Sequence, residues 1–119
     1  MLLPMKESFS SERLMHSANY FIVKKSRAGE LKPIYSGESR CIYNRIKRIR
    51  SQLRNDGTIK GIDIGYDEDI FYFLIFNVGA CQDKRLEMED LIHQTHSGLI
   101  SISGRGGILP KILKVLGLS

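Results

Sequence analysis

The sequence predicts a small α/β chain of the α+β kind: a central three-stranded antiparallel sheet flanked by helices, in the order β-β-α-β-α with one more helix at the C-terminus. Three observations carry that prediction. Two strand-like segments, "NYFIVKK" and "LKPIYSG", are separated only by "SRAGE", a link too short for a crossover helix, so they pair antiparallel. The stretch after them places apolar residues at helical spacing. "DIFYFLIFNV" then runs apolar almost without interruption, the pattern of a strand buried on both faces.

The 119 residues amount to one domain. It divides into an N-terminal arm or helix over 1–18, a core over 19–103 and a C-terminal helix over 104–119. Within the arm, residues 5–17 read as a short helix or irregular segment, with Ser10 or Ser11 as N-cap. The first strand is rich in β-branched and aromatic residues, and Gly29 supplies the turn that follows. Pro33 donates no hydrogen bond to a ladder, so the second strand belongs at an edge or carries a bulge.

Ser39 is a plausible N-cap for the first long helix. Ile42, Ile46, Ile49 and Leu53 then recur at spacings of four, three and four, which draws one apolar stripe. At about 100° per residue, Lys47, Arg50 and Arg54 fall to one side of that stripe. Arg45 falls on the opposite flank, roughly 60° from the stripe's centre, at the boundary between core and solvent. "NDG" ends the helix. After a polar stretch and the buried strand, Asp83 is the expected N-cap of a second helix, "KRLEMEDLIHQTH". "SGLISIS" reads as a short strand or loop and "GRGG" as a break. In "ILPKILKVLGL", Leu109, Ile112, Leu113 and Leu116 form a face suited to core packing or to a dimer contact.

Net charge is +5, with six basic residues and no acid between Arg40 and Arg54. A field of that sign and density suits a polyanion, with DNA the expected partner. Lys24, Lys25, Arg40, Lys47, Arg48, Arg50 and Arg54 are the candidate nucleic-acid contacts. The longest apolar run is about half a membrane span, so no membrane partner is expected. The N-terminus shows no secretory pattern, and Cys41 and Cys81 have no short-spaced partner, which points to a cytoplasmic location. His93 and His96, with Cys81 in the same region, lack the further ligand pair a structural zinc site needs.

Tyr20 in "NYF", Tyr35 and Gly37 in "YSG", and Arg45 eight residues after Gly37 together resemble the GIY-YIG nuclease family, over roughly Tyr20 to Ser103. The resemblance implies a metal-dependent DNA endonuclease that hydrolyses a phosphodiester bond. Tyr20 would help deprotonate the attacking water, its pKa lowered by a nearby metal and cation, and Tyr35 would hydrogen-bond that water or the phosphate. Arg45 would stabilise the phosphate, and Glu89 in "EMEDLIHQTH", with Glu87 as the alternative, would bind Mg²⁺ or another divalent ion such as Mn²⁺. These residue types suit the chemistry. A guanidinium binds phosphate oxygens in bidentate fashion, and Mg²⁺ asks for few protein ligands beyond a carboxylate. Departures from the family pattern are specific: "NYF" stands for "GIY", Ser36 replaces an apolar residue, and Ser101 and Ser103 stand where relatives often have asparagine. They motivate an alternative, a catalytically impaired nucleic-acid-binding domain on the same scaffold. The sequence leaves a homodimer open.

Overall fold

The computed structural model describes residues 1–95. "SGLISIS", the expected C-terminal helix over 104–119, His96, Ser101 and Ser103 lie outside the described residues. Nine elements follow in order: β1 (Leu2–Pro4), α1 (Ser11–Leu14), β2 (Ala18–Lys25), β3 (Leu31–Ser39), α2 (Ile42–Asp56), β4 (Thr58–Ile59), β5 (Ile62–Asp63), β6 (Phe71–Phe76) and α3 (Gln82–Thr95). The main sheet is antiparallel throughout, with strand order β1-β6-β2-β3.

The sheet therefore has four strands where three were expected. The additional strand comes from the segment read as an arm: Leu2, Leu3 and Pro4 pair with Leu74, Phe73 and Tyr72. Three residues are too few to show an alternating pattern, and the pairing spans some seventy positions, so local sequence carries no trace of it. The polar stretch after α2 likewise holds a two-stranded hairpin, β4–β5. In the arm, Ser10 takes the N-cap position of α1 without a side-chain bond.

Alternation along β2 divides the core. Tyr20 and Ile22 face α2, with Tyr35, Ile42, Ile46, Leu53, Phe73 and Ile75 in one cluster. Phe21 and Val23 face α3, with Leu74, Phe76 and Ile92 in the other. Since β2 and β6 are interior strands covered on both faces, their residues are apolar at successive positions, as expected for "DIFYFLIFNV". Each fully buried isoleucine or leucine of the α2 stripe contributes about 1.5–3 kcal/mol.

Two cap assignments change. The residue at the N-cap of α2 is Cys41; Ser39 ends β3, where its hydroxyl accepts from Cys41 N at 3.2 Å and donates to Cys41 O at 2.9 Å. Asp83 lies inside the first turn of α3, which begins at Gln82. At the other end of α2, Gly57 caps as expected, at φ 71° with its N–H donating to Leu53 O.

β3 is an edge strand, and its pairing with β2 shifts between Ile22 and Val23, opposite Tyr35 and Pro33. Pro33 thus sits both at an edge and at an irregularity, which spares the ladder a missing donor.

Candidate active site on the edge strand

Past the bulge, Gly37 stands directly opposite Tyr20 in the ladder. The phenol ring of Tyr20 folds over that glycine: a Cβ at position 37 would lie 2.6 Å from Tyr20 Cζ and 2.8 Å from Cε1. The absent side chain is what lets the ring lie flat beside the strand. Tyr35 is at a centroid distance of 6.1 Å from Tyr20, and Phe73 abuts Tyr20 edge-on from behind.

Helix α2 crosses in front of this pair. A cleft of about 180 Å³ opens between them, with Tyr20, Tyr35, Arg45, Arg48, Gln52 and Lys60 around it and Ile49 and Ile59 supplying apolar wall. That is the space of roughly six waters, enough for a phosphate group and its solvent rather than a base. Among the described residues, three cations and no carboxylate line it. Helical phase explains why Arg45 enters: it flanks the buried stripe on the side of the tyrosines, and Arg48 and Gln52 follow one and two turns along.

The Tyr20 hydroxyl is fully buried with no hydrogen-bond partner at good geometry among the described residues. Burial raises its pKa well above the ordinary phenol value, and Tyr35 adds to the effect; the Arg45 charge beside it pulls the other way without prevailing. The protein's own groups therefore hold this phenol up, and the lowering that the resemblance implies would have to come from a metal ion beside it. Removal from water costs the phenolate more than one neighbouring guanidinium returns.

The carboxylates lie behind β3. Ser36 pairs with Phe21 and faces α3. Glu38, two residues on, accepts from Arg85 Nε at 2.7 Å. Glu89 of α3 belongs to this side. Burial, then the Glu38 charge and then Asp90, push it up to about 7, against the Ser36 hydroxyl and Lys60, which favour its ionised form. Its Oε1 is buried and without a partner at good geometry among the described residues, and Oε2 lies 3.8 Å from His93 Nε2. Glu87 is elsewhere, exposed and paired with Lys84 at 3.3 Å.

Tyr20, Tyr35 and Arg45 are thus brought together on the α2 face, while Glu89 stands on the α3 face. Lys60 is the group that reaches toward both: its Nζ lies 5.6 Å from the Tyr35 centroid and its charge acts on Glu89. Sequence reasoning missed Lys60 and Glu38. Lys-Gly is not among the favoured hairpin pairs, so no local signal marked the first; the second needed the register of β3.

The basic residues separate by use. Arg48 joins the cleft and Arg40 is exposed between β3 and α2. Lys47 packs 5.0 Å above the Tyr43 ring, and Lys24 and Lys25 lie at the far end of β2, some four residues or about 13 Å along the strand from Tyr20. Arg50 and Arg54 are engaged within the fold. Arg50 lies 3.9 Å over the Phe9 ring and donates to Glu7 O at 2.7 Å; Arg54 Nε is ion-paired with Glu68. Both fasten neighbouring chain onto α2.

Asn19, in the "NYF" departure, is fully buried and bonded: it accepts from Asn77 Nδ2 at 2.8 Å and donates to Arg85 O at 3.1 Å. It ties β2 to the start of α3. Among the described residues no three His, Cys, Asp or Glu side chains form a metal-binding group, and no helix is long and apolar enough to cross a membrane. No family model matches the chain, and no curated protein or solved structure matches it either.

Proposed function

We propose that the chain is a metal-dependent DNA endonuclease of the GIY-YIG kind, acting in the cytoplasm. The observation that supports this reading best is the convergence of Tyr20, Tyr35 and Arg45 on one cationic cleft, with Gly37 required by the position of Tyr20. In this reading Arg45 and Arg48 hold the phosphate oxygens and offset the charge that grows on them during attack. Tyr20, kept neutral by burial, donates toward Tyr35. Tyr35, at the cleft wall, orients the attacking water, so tyrosine assistance passes through the pair.

The donor set fits a divalent cation in a limited sense. Glu89 offers a buried oxygen with no partner at good geometry among the described residues, and Glu38, itself paired with Arg85, adds a second carboxylate nearby, the hard oxygen ligands that Mg²⁺ or Mn²⁺ prefers. When bound, such an ion supplies Lewis-acid stabilisation of the phosphate and a more acidic water. Glu89 would hold it.

One observation favours the alternative, a nucleic-acid-binding domain without catalysis: β3 stands between Glu89 and the tyrosines. Supercoiled plasmid with Mg²⁺ separates the two. The endonuclease nicks it, and a homodimer linearises it; retained duplex binding with no cutting under any divalent metal selects the alternative.

A further inference from the structure

The hairpin β4–β5 has only two residues in each strand, Thr58 pairing with Asp63 and Ile59 with Ile62. So short a ladder contributes little by itself. Its two-residue turn is Lys60–Gly61, both at positive φ, 50° and 77°. That is the type I′ geometry, for which Asn-Gly is the favoured pair. Lysine has no local hydrogen bond to offer at such a position and meets the left-handed region with its Cβ crowded. A residue suboptimal for its turn calls for another reason to be there.

The side chain supplies one. Lys60 is exposed, and among the described residues it makes no ion pair or hydrogen bond. Its ammonium instead stands over the face of Tyr35, at the mouth of the cleft that Arg45 and Arg48 share. Three like charges around one small cavity repel one another until an anion enters. We propose that Lys60 contacts the same substrate phosphate as Arg45, and that the β4–β5 hairpin exists to hold this ammonium over the cleft. The proposal rests on the reading that the cleft takes a nucleic-acid phosphate.

Lys60→Asn tests it, because Asn-Gly suits the turn at least as well while the charge is lost. Binding of a fluorescent DNA duplex, without metal, is followed by anisotropy over a series of NaCl concentrations. Wild type and Lys60→Arg are expected to share one slope of log K against log salt. Lys60→Asn is expected to lower that slope by about 0.9, the loss of one phosphate contact, with a thermal midpoint equal to or above wild type. An unchanged slope and affinity in Lys60→Asn overturns the proposal, and so does weakened binding that Lys60→Arg shows equally. If plasmid is never cut but the slope changes as stated, the endonuclease reading fails and Lys60 stands. If plasmid is cut equally well by Lys60→Asn, with unaltered KM and slope, Lys60 fails alone.

Discussion

Tyr20 occupies the space that a side chain at Gly37 would need, across the one rung of the β2–β3 ladder where the two residues meet. The glycine of one strand and the tyrosine of the other are thus a single steric unit. It aims the phenol hydroxyl at Arg45.

Gly37→Ala should accordingly be costly although the backbone there is ordinary extended chain. The new methyl must displace a ring fixed by Phe73 and Tyr35, an overpacking cost of about 1–3 kcal/mol. Urea denaturation is expected to show a lower midpoint with an unchanged slope. An unshifted midpoint would mean that the ring moves freely and that the unit is not rigid.

Tyr20→Phe separates structure from function at the same place. The hydroxyl is buried with no partner at good geometry among the described residues, so its removal should leave stability within about 1 kcal/mol of wild type, or raise it. If the hydroxyl serves catalysis, cleavage falls by roughly 10²-fold or more. A variant that is clearly less stable yet cuts normally contradicts the assignment.

Glu89 makes stability pH-dependent in a definite direction. Its folded pKa of about 7 lies above its ordinary value of 4.5, so the folded state holds this proton more tightly than the unfolded chain. Stability from it is complete below the ordinary value and is lost as pH rises through the folded one. Relative to Glu89→Gln, wild type should lose up to about 3 kcal/mol between roughly pH 4 and pH 8 in calorimetric unfolding. Mg²⁺ added at the higher pH should raise the wild-type midpoint more than that of the variant. A difference between the two proteins that does not vary with pH contradicts this.

If the proposed function holds, the basic helix divides into residues that meet DNA and residues that hold the fold. Arg50→Ala removes a stacked, hydrogen-bonded guanidinium and should cost about 1 kcal/mol of stability with the salt slope of DNA binding unaltered. Arg48→Ala should do the reverse, leaving stability alone and lowering the slope by about 0.9. Equal effects of both on the slope would make the whole helix a phosphate track.

What the sequence made legible follows physical lines. β2, β3, α2 and β6 announce themselves because each is long enough to show its period, and Gly57 and Pro33 punctuate them as their backbones demand. Arg45 was legible from helical phase together with its eight-residue spacing from Gly37. β1 and the hairpin were not, since two or three residues carry no period and a pairing across the whole core is decided by the open edge of β6. Lys60, Glu38 and the placement of Glu89 behind β3 depended on tertiary register. Burial of the Tyr20 hydroxyl did as well. The contacts of Arg50 with Phe9 and of Arg54 with Glu68 join residues distant in sequence, so they were not legible either.

The central claim is that Arg45 acts on a phosphodiester held beside Tyr20 and Tyr35. Single-turnover cleavage of plasmid with Mg²⁺, wild type against Arg45→Ala, measures it most directly. Nicking by wild type and a loss of roughly a thousandfold in Arg45→Ala, with duplex binding largely kept, is the predicted result. Equal cleavage rates for the two proteins, or no cleavage by wild type under any divalent metal, would contradict it.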